Sequence, residues 1–173
     1  MAQGAKVNAP ANDGCTPLYA AAQQGHIEVV RFLVAQGAKV DAPNKDGCTP
    51  MYFTAFNGHI EVVRLLQAQG AKVDAPNKDG CTHMYFTAFN GHIEVVRFLV
   101  AQGADVNKAA LGGQSELFVA AEAGQAAVVK LLLAAVADRS AATMELYIEV
   151  PAGSTALSVV ELKGHEAVAA LLR

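Results

Sequence analysis

The sequence predicts an all-α solenoid, in which short helix-turn-helix units stack side by side and are joined by short hairpin turns. Three observations predict it. A 33-residue block recurs along the chain, each block carries two short apolar stretches of helical spacing, and glycines fall at the same points of each block. Asn44–Arg64 reads NKDGCTPMYFTAFNGHIEVVR, and Asn77–Arg97 repeats it with one change, Pro50 to His83. The same step carries Asp13 to Asp46 to Asp79, Gly25 to Gly58 to Gly91 to Gly124, and Gly37 to Gly70 to Gly103.

Each element of the block has a local cause. Thr16 and Thr49 are placed to cap a first helix, with Pro17 and Pro50 at its first position, where a missing N–H costs nothing and φ is already set. Gly25 and its equivalents end that helix, at a position that favours positive φ. The segment HIEVVRFLVAQ then sets Ile27, Val30, Phe32, Leu33 and Val34 largely on one side of a second helix. Gly37 stops it, and AKVDAPNKDG supplies the residues of a turn. Two helices this short cannot bury their apolar faces alone, so neighbouring units must stack.

The unit DGCTPLYAAAQQGHIEVVRFLVAQGAKV resembles the ankyrin repeat. The resemblance is carried by Thr16-Pro17-Leu18-Tyr19, Ala21-Ala22, Gly25-His26 and Gly103-Ala104-Asp105-Val106-Asn107, and it covers nearly the whole chain. Tyr19, Tyr52, Tyr85 and Phe118 stand where the family usually has histidine, so the family's Thr–His hydrogen bond is lost. The register gives a partial repeat at 1–10, well-formed repeats at 11–43, 44–76 and 77–109, a degenerate repeat with an insertion at 110–149, and a terminal partial repeat at 150–173. Gly113 to Gly153 is 40 residues where 33 are expected. Within that excess, MELYIEV alternates Met144, Leu146, Ile148 and Val150 with Glu145, Tyr147 and Glu149, which predicts a strand in an enlarged hairpin or a partner-binding finger. Met1 aligns inside a second helix and no polar cap precedes the first full unit, so the expectation is either a piece of a longer array or a chain that self-associates, or is stabilised by an added cap, at that end.

Composition excludes several classes. Hydrophobic residues make up 53% of the chain, yet the longest apolar run, Ala126 to Ala137, contains Lys130 and falls short of the roughly 20 residues of a membrane span. Thirteen Lys and Arg against 16 Asp and Glu leave a net charge of −3 and no basic stripe for phosphates, so no nucleic-acid partner is expected. The first ten residues carry no secretory signal, and three cysteines make no disulfide framework. A soluble chain in a reducing, cytoplasmic setting is expected.

The chemistry-bearing residues fail as catalytic or metal sites. Cys15, Cys48 and Cys81 occupy one register position, so adjacent thiols belong on helices about 8–10 Å apart, whereas a disulfide needs Cα atoms within about 7 Å and zinc needs sulfurs at about 2.3 Å. His26, His59, His92 and His165 each follow a glycine and are read as structural, and His83 as drift from proline. The phosphate-loop pattern is absent, Ala169 stands where a zinc protease needs its second histidine, Leu117 breaks a nucleophile elbow, and Ala42 and Phe53 break a calcium loop. No enzyme, cofactor or metal is predicted. Glu28/Arg31, Glu61/Arg64 and Glu94/Arg97 read as a solvated outer face.

One stripe differs. Residues four apart on the first helices align Cys48, Tyr52 and Phe56, and Cys81, Tyr85 and Phe89, flanked by Cys15–Tyr19–Gln23 and Gln114–Phe118–Glu122. The resemblance implies that first helices and turn tips line a concave groove that holds a partner protein. The expected contact residues are Phe56, Phe89, Tyr52, Tyr85, Gln23, Asn57, Asn90 and Glu122 on the helices, with Lys45 and Lys78 at the tips; Phe53 and Phe86 are expected in the core. The function predicted is a non-enzymatic protein-interaction scaffold, with a recognition segment of a larger enzyme, channel or signalling protein as the alternative. By the same resemblance, Leu99 and Asp105-Val106-Asn107 match the surroundings of asparagines that are hydroxylated in ankyrin arrays; a turn-fixing hydrogen bond is the simpler role for Asn107.

Overall fold

A computed structural model describes residues 6–110, 112–142 and 150–173 of the chain. Among them are five helix pairs: α1 (Pro17–Gln23) with α2 (Ile27–Ala35), α3 (Pro50–Phe56) with α4 (Ile60–Ala68), α5 (His83–Asn90) with α6 (Ile93–Ala101), α7 (Glu116–Glu122) with α8 (Ala126–Ala134), and α9 (Ala156–Lys163) with α10 (Glu166–Leu172). The strand expected from Met144 lies outside the described residues except for Val150, which is buried. Ala142 and Thr155, either side of that segment, meet in an isolated antiparallel bridge. No helix among the described residues is long and apolar enough to cross a membrane.

Helices of seven to nine residues are too short to persist alone in water, so caps and packing hold them. The hydroxyl of Thr16 accepts from the amide of Tyr19 at 3.2 Å, and Thr82 and Ser115 do the same for Tyr85 and Phe118. Thr49 departs from the expected cap. The Tyr52 amide donates instead to the Thr49 carbonyl at 3.0 Å, and the buried Thr49 hydroxyl has no partner among the described residues.

The core is the repeat written down the stack. Leu18, Met51, Met84 and Leu117 are fully buried at one register position, and Ala22, Ala55, Ala88 and Ala121 let the first helices approach at another. Val30, Val63, Val96 and Val129 join them from the second helices. The first helices pack on one another more closely than the second helices do, which bends the stack with the first helices on the inner side. The first unit shows what stacking contributes: Val29 is 48% exposed, whereas its equivalents Val62 and Val95 are buried. Phe32, expected on the buried side, is 63% exposed, because α2 has no preceding second helix among the described residues to cover it.

Hydrogen bonds tie the turns together in the same register. The backbone N–H of Lys45 donates to the Asp13 carbonyl at 2.9 Å, and that of Lys78 to the Asp46 carbonyl at 3.0 Å. Farther along each turn, Asn8 accepts from the Lys39 amide and donates to the Gly37 carbonyl, and Asn107 accepts from the Asp138 amide and donates to the Val136 carbonyl. Asp41 and Asp74, at the same position, can only accept, from Lys72 and Asp105.

Candidate functional site

On the inner side of the stack, six aromatic rings form one continuous ladder across three units. Centroid separations are 5.9 Å for Tyr19–Phe53, 5.3 Å for Tyr52–Phe53, 5.8 Å for Phe53–Phe56, 5.8 Å for Phe56–Phe86, 5.8 Å for Tyr52–Phe86 and 4.9 Å for Tyr85–Phe86. These distances, with tilted or edge-on planes, are the favourable geometries for aromatic pairs. The three tyrosines form the buried rail and the phenylalanines the half-buried one.

The tyrosines are buried because their hydroxyls are satisfied by the next unit. Asn44 Nδ2 donates to Tyr19 Oη at 3.3 Å, Asn77 Nδ2 donates to Tyr52 Oη at 3.2 Å, and Tyr85 Oη donates to Gln114 Oε1. Burial pushes Tyr19 and Tyr52 far above the ordinary phenol range. It also raises the Cys48 and Cys81 thiols to about 11, so these free cysteines stay protonated and unreactive near neutral pH. Among the described residues no group of His, Cys, Asp or Glu is arranged to hold a metal ion.

The sequence-predicted contact residues separate into distinct roles. Phe56 is half-buried between Phe53 and Phe86, and Phe89 is 43% exposed beyond the end of the ladder. Tyr52 and Tyr85, at 4% and 8% exposure, present little surface and act as the floor on which the phenylalanines rest. Lys45 and Lys78 are exposed at the turn tips, and Gln23 and Glu122 are half-buried at the two ends of the inner face. Asn57 and Asn90 brace the stack itself, since their amides donate to the carbonyls of Gln23 at 2.9 Å and Phe56 at 3.0 Å, each in the preceding unit. Gln125 and His165 do the same for Phe89 and Glu122. Every first helix from α1 to α7 thus has a carbonyl at its C-terminal end tied to the unit that follows.

Phe53 and Phe86, expected in the core, pack against it without being sealed. They are half-buried, and they carry the ladder from unit to unit. The signal that marks them is the i, i+3 pair Phe53/Phe56, repeated as Phe86/Phe89, which shares a helix face as surely as the i, i+4 pair does. On the outer face, Glu28–Arg31 and Glu94–Arg97 lie 3.8 and 3.7 Å apart in solvent, and the Arg64 guanidinium stacks over the Phe98 ring, 4.8 Å from its centroid.

The family model of ankyrin repeats matches the chain in three overlapping stretches, residues 1–77, 36–110 and 65–142. No curated protein matches the sequence.

Proposed function

The chain belongs to the ankyrin-repeat family, whose members typically mediate protein–protein interaction without catalysis, and from that premise we propose that a partner protein docks on the inner face over Phe53, Phe56, Phe86 and Phe89. The aromatic ladder carries this reading. It joins Phe53, Phe56 and Phe86 into one apolar strip that remains partly open to solvent, with Phe89 exposed beyond its end and Gln23, Glu122 and the turn-tip lysines around it. An apolar centre within a polar rim is the usual anatomy of an interface, and buried aromatics there often contribute about 2 kcal/mol or more each.

Affinity capture with the intact chain as bait tests it. Phe89→Ala, whose side chain is half-exposed, should leave thermal stability almost unchanged and lose the captured partner; Phe56→Leu should weaken capture. Phe32→Ala on the outer face should retain it. Equal capture by the Phe89 and wild-type baits removes the inner face from consideration.

Val29 and Phe32, exposed side by side on α2, support a second, lesser reading, self-association through that apolar patch. Light scattering that shows a monomer at high concentration rules it out.

A further inference from the structure

The first helical residue of successive units is Pro17, Pro50, His83 and Glu116. Proline suits that position; histidine and glutamate there are both fully buried. Glu116 reaches back across the joint to the preceding unit, where its Oε1 accepts from the Thr82 hydroxyl at 3.1 Å, while its Oε2 is buried with no partner among the described residues. His83 faces the closing turn of its own preceding unit. The backbone at Val73 lies close to the ring, but among the described residues neither ring nitrogen completes a hydrogen bond, and the buried hydroxyl of Thr49, the equivalent of Thr82, has no partner there either. The bond that spans the Glu116 joint therefore has no counterpart at the His83 joint.

Burial opposes charging either group inside its joint, and the Val73 backbone beside His83 and the Thr82 hydroxyl and local backbone beside Glu116 offset it only in part. Lys108 faces His83, and Asp105, Asp74 and Cys81 face Glu116. The other packed elements bring no compensating charge: α3 has no charged residue, and Glu61 and Arg64 of α4, Glu94 and Arg97 of α6, Lys130 of α8, and Glu161 and Lys163 of α9 are all exposed. Tyr52, Tyr85 and the Glu122 side chain lie on the groove side. We propose that the α5/α6 unit is held between two proton-controlled joints of opposite sign, acid loosening the His83 joint to α3/α4 and a rise toward neutral pH loosening the Glu116 joint to α7/α8. The proposal holds whatever binds the inner face.

The signs follow from burial, the leading cause of both shifts. His83 is lowered from 6.5 to about 4, so its contribution is complete above pH 6.5 and is lost as pH falls toward 4. Glu116 is raised from 4.5 to about 7, so its contribution is complete below pH 4.5 and is lost as pH rises toward 7. Each effect alone changes the folded-to-unfolded ratio about tenfold per pH unit within its window. Between pH 4.5 and 6.5 the two oppose and nearly cancel, and each substitution unmasks the other.

Urea denaturation of the intact chain from pH 4 to 8, read as the difference from wild type, tests this. His83→Pro, the residue of the neighbouring units, should give a stability that falls with pH relative to wild type between about 4 and 6.5, by about tenfold per unit. Glu116→Gln should give one that rises relative to wild type between about 4.5 and 7 by the same factor. His83→Asn serves if proline disturbs the fold, since it also removes the titrating ring. Hydrogen exchange, corrected for intrinsic rates, should lose protection at the α3–α5 joint as pH falls toward 4 and at the α5–α7 joint as pH rises toward 7. Single variants whose pH profiles run parallel to wild type overturn the proposal, as do two variants that tilt the profile the same way.

Discussion

Substituting alanine for Gly58 tests how the units are held together, because one added carbon asks two separable questions. Gly58 has φ +75°, and an added Cβ would lie 2.6 Å from Nδ1, 2.8 Å from Cε1 and 2.9 Å from Cγ of His92 in the next unit. These are well inside the 3.5–4.0 Å of favourable contact, and the obstacle is the body of a ring, not the end of a flexible chain. Gly70 has φ +87° and nothing within 4 Å of the same added atom. Gly70→Ala therefore measures backbone strain alone, about 1–2 kcal/mol for an L-residue in the left-handed region. Gly58→Ala carries that strain plus overpacking of about 1–3 kcal/mol, so it should cost about 2–5 kcal/mol. The increment belongs to the joint, and a double-mutant cycle isolates it: in a His92→Ala background, Gly58→Ala should cost no more than Gly70→Ala does in the parent. Urea denaturation of the five proteins at one pH supplies every number. Equal costs for the two glycines, or a coupling below about 0.5 kcal/mol, would show that the His92 ring does not bear on the preceding glycine.

Two further outcomes are expected. Val136 adopts φ +67° at the register position of Gly37, Gly70 and Gly103 and is 81% exposed, so Val136→Gly should stabilise the chain by about 1 kcal/mol or more in thermal or urea denaturation, relieving strain at little loss of packing. Asp74→Asn should also stabilise it, by about 0.5–1.5 kcal/mol, because an amide can donate to the Gly103 carbonyl as Asn8 and Asn107 donate to Gly37 and Val136, while still accepting from Asp105. An unchanged or lower melting temperature in either variant contradicts the reasoning for it.

The repeat made the fold legible because its strongest residues act locally. A threonine before a proline, or a glycine after seven helical residues, dictates the same conformation in every unit, and the structure starts α1 and α3 at Pro17 and Pro50 as those signals require. The inner face was less legible because helical spacing alone cannot choose between Tyr52 and Phe53. Both lie within reach of Phe56, and the choice is made by the next unit, where Asn77 satisfies the tyrosine hydroxyl and turns that ring inward. Asn57 and Asn90 looked free for a partner for the same reason: the carbonyls they bind belong to the unit before. His83 read as drift because a surface histidine and a buried one are written alike.

The second helices make the general point without any change of sequence. Residues 27–35 and 93–101 are the same nine letters, IEVVRFLVA, with the same helix bounds relative to the repeat. Yet Val29 is 48% exposed and Val95 1%, and Leu33 is only partly covered where Leu99 is sealed. Identical segments carry identical propensities, so the difference belongs to their neighbours. Among the described second helices, α6 lies between α4 and α8, whereas α2 packs on α4 alone. Burial in this chain is a property of place in the stack, and the same substitution should cost more in the middle than at the first unit. That is why the residues that deviate from the repeat, His83, Glu116 and Val136, have effects that must be reasoned from the joints they occupy.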